Sequence, residues 1–148
     1  MTSVYNKVGM RFAYPENWNV TDEELEEWPR SVALQSPKST LWTVHLYPAG
    51  AEMEMLASEV VEAIRSEYEE VEVEPLRVEM GDVEAIGHQM NFYCLDLLIH
   101  AESRCFRQGA ATCLVLAQAE SRDFEEHRRV MQAMTLSLTL PFDESLLE

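Results

Sequence analysis

The fold is decided between residues 85 and 119, where the chain reads AIGHQMNFYCLDLLIHAESRCFRQGAATCLVLAQA. Aromatic, branched and small apolar residues dominate this segment, and they favour strands. We interpret it as a meander of three strands joined by two turns: 85–95, 97–106 and 111–119, with Asp96 and Gln108-Gly109 in the turns. Because these strands are apolar on both sides, neither face of their sheet can be left bare. The segment therefore predicts a mostly antiparallel sheet that is covered on both faces.

Two amphipathic helices flank this meander and can provide the cover. The first is predicted over residues 52–68, where apolar residues recur at steps of three and four. The second is predicted to begin with Ser121 as its N-cap, and its apolar stripe consists of Phe124, Val130, Met131 and Met134. With one helix on each face, the chain is expected to form a three-layer α/β/α sandwich of the α+β class, with a mostly antiparallel central sheet.

Shorter elements precede the first helix and follow it. Strands are predicted at Gly9–Tyr14, Ser31–Gln35, Thr40–Tyr47 and Val71–Met80. Pro75 places part of the last strand at an edge or a kink, because proline has no backbone N–H to donate. Thr21-Asp22-Glu23-Glu24 has the form of a capping box and predicts a short acidic helix through Glu27. The whole chain, 1–148, is expected to be one domain whose tail frays from Pro141 onward.

The charge balance narrows the choice of partners. The 148 residues include 11 Lys and Arg against 27 Asp and Glu, a formal net charge of −16. Residues 52–84 alone hold twelve acidic residues against Arg65 and Arg77. Such a field repels phosphate backbones and anionic lipid headgroups, so nucleic-acid and membrane-surface binding are disfavoured. It attracts a basic protein or a cationic ligand, although an acidic surface also serves solubility alone.

The cysteines and the missing leader both indicate the cytoplasm. Cys94, Cys105 and Cys113 are odd in number, lack C-x-x-C spacing and lie in apolar strand-like runs. This pattern predicts free, buried thiols in a reducing compartment. Residues 1–10 contain no apolar leader core, and no window approaches eighteen consecutive apolar residues. We therefore expect a soluble cytoplasmic protein.

The opening of the chain carries a family resemblance. Phe12-Ala13-Tyr14-Pro15-Glu16-Asn17-Trp18 resembles the strand-Pro-x-x-Trp opening of the PsbP-like superfamily, which includes photosystem PsbP proteins, Mog-type Ran-binding factors and bacterial proteins of unknown function. The order of the later elements fits the same family over nearly the whole chain. The resemblance implies the sandwich fold, and some bacterial relatives are chaperones that shield apolar helices of secreted toxins. No local motif matches the Ran-binding residues. Physically, Phe12, Tyr14 and Trp18 suffice as a buried aromatic bracket.

No motif for catalysis, metal binding or cofactor binding is present in the sequence. The histidines, at positions 45, 88, 100 and 127, show no metal-ligand spacing, and there is no nucleophile elbow or phosphate-binding glycine loop. The paired glutamates lie in charge runs, which are typical of a solvated face. We expect no metal, no cofactor and no enzymatic activity.

A polar row and two tryptophans are the remaining candidates for a ligand or partner surface. Asp96, His100, Glu102 and Arg104 follow one another along the predicted strand 97–106 and its turn. Such a row could form the floor of a groove, or it could extend past the covering helix and meet water. Trp28 and Trp42 are candidates for contact because tryptophan is enriched at interfaces, although both could equally belong to the core.

Three hypotheses follow. The leading one is a non-catalytic protein-binding module, adaptor or chaperone-like, which engages a protein through its sheet face or its acidic surface. The second is a small-ligand binder or enzyme that uses the polar row, and it predicts a concave pocket there. The third is a structural subunit that forms a homodimer or a larger homo-oligomer.

Overall fold

The computed structural model describes residues 1–22 and 27–139. Within these ranges the chain forms nine strands and two helices, in the order β1 (Thr2–Lys7), β2 (Met10–Pro15), β3 (Asn19–Asp22), β4 (Arg30–Gln35), β5 (Leu41–Tyr47), α1 (Met53–Glu67), β6 (Glu72–Met80), β7 (Val83–Cys94), β8 (Leu97–Gln108), β9 (Ala111–Glu120) and α2 (Ser121–Ser137). The predicted helix over 52–68 and the strands at 31–35, 40–47, 85–95, 97–106 and 111–119 are confirmed to within a few residues.

Seven of the strands form one sheet, in the spatial order β3-β4-β5-β9-β8-β7-β6, and every neighbouring pair is antiparallel. The strands of the meander, β7, β8 and β9, are neighbours in the sheet. Strand β5 pairs with β9 and so connects the meander to β4 and β3. Strand β6, which contains Pro75, lies at the edge, where a missing N–H costs least. The predicted α+β sandwich with a mostly antiparallel sheet is confirmed.

The two helices cover opposite faces because the strands alternate. On β9, Val115 and Ala117 point into the larger core, on the face that α2 covers. Leu114, the residue before Val115, points the other way, into a smaller cluster with Leu56 of α1. Burial on both faces explains why this stretch of the chain is so continuously apolar.

A separate hairpin of β1 and β2 packs on the side of the sheet that α2 covers. Of its two strands, only β2 is predicted from the sequence. The ring of Tyr5 in β1 stacks on Phe12 in β2, with 5.1 Å between centroids, and Phe12 lies 4.9 Å from the ring of Trp42. The backbone N–H of Ala13 donates to Ser137 Oγ of α2 at 2.9 Å. Phe12 and Trp18 are buried, as the aromatic-bracket interpretation predicts. Strand β1 was not predicted, because only one of its six residues is buried.

Three local predictions are wrong. Thr21 and Asp22 do not open a helix but end β3, which pairs with β4; residues 23–26, and the tail from 140, lie outside the described residues. Ser121 is the first residue of α2 rather than its cap, because Glu120 Oε2 accepts the Arg122 N–H at 3.1 Å. The turn between β7 and β8 has two residues instead of one centre at Asp96. That difference shifts the expected pairing of β7 and β8 by one position.

Candidate functional site

Three of the four residues of the polar row lie between the sheet and α2. His100, Glu102 and Arg104 alternate with residues of the α1 face, so all three point toward α2. Their side chains are 13%, 6% and 15% exposed. Asp96 is separate from them, in the turn before β8. The alternative in which this row meets water is therefore wrong, since α2 follows β9 and crosses back over β8.

Glu102 is the centre of a charged cluster. Its Oε2 accepts a hydrogen bond from Arg128 Nη1 of α2 at 2.7 Å and lies 2.7 Å from His100 Nε2. Its Oε1 lies 3.5 Å from Arg104 Nη2. Burial alone would raise the pKa of Glu102, but the hydrogen bonds from His100 and Arg128 and their charges outweigh it and hold the pKa below its ordinary value. The carboxylate is therefore ionised and fastens α2 to β8.

His100 and Arg128 extend this cluster on its two sides. His100 Nδ1 lies 2.8 Å from Asn91 Oδ1 on β7, and its ring packs edge-on against Phe124 at 4.5 Å. Arg128 Nη2 donates to Glu125 Oε1 at 2.7 Å on the surface of α2. The cavity beside Glu102 and Arg104 has a volume of about 20 Å³, which is room for one water molecule. His100, Glu102 and Arg104 therefore pack between the sheet and α2, and the cavity beside Glu102 and Arg104 is far smaller than a ligand pocket.

The other histidines lie apart from this cluster. His45 Nδ1 on β5 lies 2.6 Å from Ser31 Oγ on β4, and burial lowers the pKa of His45. His127 Nδ1 on α2 lies 2.8 Å from Thr40 Oγ1. Over residues 1–22 and 27–139, no three His, Cys, Asp or Glu side chains converge as metal ligands would.

One face of the sheet is only partly covered. Helix α1 packs mainly on β7, β8 and β9, and at the end of β5 Tyr47 packs against the cluster that contains Leu56 of α1. Of the residues of β4 and β5 that point to this side, Ser31 and Gln35 are exposed, and four that lie away from α1 are half-buried: Ala33, Leu41, Thr43 and His45. We call these four residues the open face. This open face was not predicted from the sequence, although the sequence contains a signal for it. An alternating strand needs cover only on its apolar side, and this side of β4 and β5 mixes apolar with polar residues.

A large groove continues from the open face toward the end of the β7-β8 hairpin. Its volume is about 1050 Å³. Leu41 belongs to both features, and the other apolar or aromatic residues of the lining are Tyr68, Phe92, Leu97, Leu98, Ile99 and Ala119. The polar residues of its lining include Lys38, Asp96, Gln118, Glu120 and Arg122. Of the polar row, only Asp96 lines the groove.

The two candidate tryptophans have different surroundings. Trp42 is fully buried, and its Nε1–H donates to Thr135 Oγ1 at 3.1 Å, so it cannot contact a partner. It points toward α2 because β5 turns its apolar side to the larger core. Trp28 is 46% exposed, and the Arg30 guanidinium lies 4.1 Å above its ring. Trp28 therefore stays a candidate for contact.

The state of the cysteines and the lengths of the helices can be compared with the predicted cytoplasmic location. All three cysteines are free; Cys105 and Cys113 are buried, and Cys94 is half-buried in the lining of the groove. No helix in the described part of the chain is long and apolar enough to cross a membrane. The compartment itself stays a prediction.

Comparisons with known proteins establish the fold alone. No protein-family model matches the chain, and no curated protein does. Among solved structures, the cyanobacterial PsbP protein CyanoP of Synechocystis is similar at a TM-score of 0.66, with 9% identity over 92% of this chain and 90% of that one. A Pseudomonas aeruginosa protein of unknown function is similar at 0.54, with 9% identity over 96% and 98%. LpqN of Mycobacterium tuberculosis, involved in cell envelope biogenesis, is similar at 0.50, with 9% identity over 95% and 82%. The fold is PsbP-like.

Proposed function

We propose that this chain is a non-catalytic protein-binding module, adaptor or chaperone-like, that holds an apolar segment of its partner in the groove. The groove itself carries the proposal, because it is a large open concavity in which apolar side chains such as Leu41, Leu97 and Ile99 lie among polar and charged ones. Exposed apolar surface of this kind is typical of a site for another molecule.

The shape of the groove favours a polypeptide over a small molecule. A volume of about 1050 Å³ is at the upper limit of small-molecule sites. The groove adjoins the open face at Leu41, which belongs to both. A helix laid there would continue the α1 layer across β5 and β4 and would bury Leu41 and Ala33. Recognition of an amphipathic helix by an apolar groove is a recurring mode of peptide binding.

The polar rim would give the bound segment its orientation. Gln118 projects from β9 into the groove, and its partners across the sheet are Leu41 on β5 and Ala101 on β8. Lys38, on the rim, is held by Glu126 at 3.0 Å. A few polar groups around an apolar floor fix the register of a ligand while apolar burial supplies most of the affinity. In the cytoplasm, the net charge of −16 would favour basic partners.

The proposal is tested with a synthetic eighteen-residue helical peptide that has a Leu/Ala face and otherwise Gln. Its binding is measured by fluorescence anisotropy, and the alkylation rate of Cys94 is measured with and without saturating peptide. We expect one peptide per chain and at least a tenfold slower reaction of Cys94, which lines the groove. Leu41→Lys, which places a charge in the groove, should abolish both effects.

Met55→Lys provides the matched control, because Met55 is 55% exposed on α1 and outside the groove. It should bind the peptide as the wild type does. Unchanged alkylation of Cys94 at saturation, or equal binding by the Leu41→Lys and Met55→Lys variants, would overturn the proposal. Sedimentation of both variants shows whether either has lost its fold.

A further inference from the structure

Exposed apolar side chains are concentrated at the tip of the β7-β8 hairpin. Within five residues, Tyr93 is 67% exposed, Leu95 is 92% exposed and Leu97 is 56% exposed. We call residues 93–98 the hairpin tip. It separates the groove from a second hollow of about 410 Å³, which Tyr93 and Leu98 line on the β6 side. Single exposed apolar residues are ordinary on a protein surface, but a cluster beside two concavities indicates a contact surface.

The backbone at the hairpin tip is strained at the exposed Leu95. Leu95 has a φ of +55°, a conformation that L-residues with bulky side chains rarely adopt. It is the first of the two loop residues between the paired Cys94 and Leu97, and glycine is preferred at this position when its φ is positive. The positive φ of Leu95 lowers the stability of the fold, and its side chain, which is almost wholly exposed, buries too little apolar surface to offset this. Strain of this kind is typical of functional positions.

The charges around the tip define the chemistry of what it contacts. Glu70 and Glu72 line the second hollow beside Tyr93 and Leu98, and none of the described residues that line it is basic. Both glutamates are exposed. Asp96 adds a further carboxylate on the groove side. The exposed apolar side chains of the hairpin tip are thus flanked by carboxylates. This arrangement is complementary to an apolar surface that is edged with Lys or Arg.

We infer that the hairpin tip docks on a partner helix whose apolar face is edged with basic residues, and that Leu95 is the anchor of this contact. The inference rests on the proposed function and adds the chemistry of the bound segment. A second copy of this chain is the wrong partner for the tip. Each copy carries a net charge of −16, and a contact between two tips would bring Glu70 and Glu72 of both copies together.

The test uses three helical peptides with the same Leu/Ala face and with Lys, Gln or Glu along its edges. Binding to the full chain is measured by anisotropy at low and high salt. We expect the Lys peptide to bind at least tenfold more tightly than the Glu peptide at low salt, with the difference shrinking at high salt. Leu95→Gly should weaken binding of the Lys peptide about tenfold while raising the thermal midpoint, because glycine tolerates the positive φ. Leu95→Asn should behave in the same way.

The outcomes separate this inference from the proposed function. If the Gln peptide binds and protects Cys94, but binding depends neither on edge charge nor on Leu95, the groove function stands and the inference falls. If no peptide binds the wild type, both fall. If light scattering shows that the wild type is a dimer and that Leu95→Gly is a monomer, the tip is a self-association surface and the inference is overturned. Met55→Ala, which truncates another exposed apolar side chain, should leave all binding unchanged.

Discussion

The Glu102 carboxylate of β8 accepts a hydrogen bond from Arg128 of α2, with 2.7 Å between Oε2 and Nη1. Glu102 is 6% exposed and Arg128 is 30% exposed, so the pair lies at the boundary between the helix–sheet interface and solvent. A buried carboxylate needs compensation from every side. Here His100 and Arg104 provide it from the same strand. The pair therefore holds α2 on the sheet, and α2 in turn contributes Arg122 to the rim of the groove.

Glu102→Gln should destabilise the protein by about 3 kcal/mol, because removing one partner of a buried ion pair leaves its cations uncompensated. Arg104 and Arg128 would then face each other without a carboxylate between them. Urea denaturation followed by circular dichroism gives the free energy of unfolding. Glu125→Gln is the matched control, since Glu125 pairs with the same arginine on the exposed surface and its loss should change stability little. Equal effects of the two variants would contradict the central role of Glu102.

The same carboxylate predicts how stability depends on pH. The pKa of Glu102 in the folded protein lies below its ordinary value of 4.5, so the folded state releases this proton more readily than the unfolded state. Its contribution to stability is therefore fully present above pH 4.5 and is lost as the pH falls through the folded pKa. The difference in unfolding free energy between the wild type and Glu102→Gln should shrink over that window. A difference that grows on acidification would show that the sign is wrong.

Prediction from sequence succeeds here where a local period is strong. Helix α1 and strand β5 are recognisable because each repeats its apolar positions at one spacing, and β7, β8 and β9 because aromatic, branched and small apolar residues dominate them between turns. Strand β1 escapes, since only Tyr5 among its six residues is buried. Thr21 satisfies a capping-box pattern, but pairing of its strand with β4 overrides that local preference.

The candidate sites depend on contacts that no local pattern records. Glu102 and Arg128 are 26 residues apart, and their meeting requires that α2 cross back over β8. A turn of two residues instead of one determines that His100 lies beside Asn91 and not Phe92. The groove lies where α1, which packs mainly on β7, β8 and β9, leaves Leu41 of β5 only half-buried, and this is a property of the tertiary arrangement. Sequence can therefore nominate polar residues here, but it cannot say which of them helices will cover.

Thr135→Val should cost about 1–3 kcal/mol, because it removes the acceptor of a buried indole N–H. Trp42 Nε1 donates to Thr135 Oγ1 at 3.1 Å, and both residues are buried. The change is nearly isosteric, so packing should be preserved. Thermal unfolding followed by tryptophan fluorescence measures the loss. In the Trp42→Phe background the same substitution should cost clearly less, and an equal cost in both backgrounds would refute the role of this hydrogen bond.

Gly87→Ala should destabilise the protein by about 3 kcal/mol, through a clash with the neighbouring strand. A Cβ at position 87 would lie 1.9 Å from the backbone oxygen of Ser103 on β8, and backbone there cannot move without opening the β7-β8 ladder. Gly109→Ala is the control: it has a φ of +62° and open space around it, so it should cost only about 1 kcal/mol of backbone strain. Urea denaturation of both variants checks the order, and a larger loss at Gly109 would contradict it.

The three thiols should react in two distinct classes. Cys105 and Cys113 are fully buried, and burial raises the pKa of Cys105 to about 11 and that of Cys113 further still, so neither is a thiolate near neutral pH. Cys94 is half-buried at the groove and is open to small reagents. Ellman's reagent should therefore modify one thiol per folded chain rapidly and the other two only at the rate of unfolding. Cys94→Ser should remove the rapid phase entirely. Two rapid thiols in the wild type, or a rapid phase that survives in Cys94→Ser, would mean that the β8-β9 core opens without global unfolding.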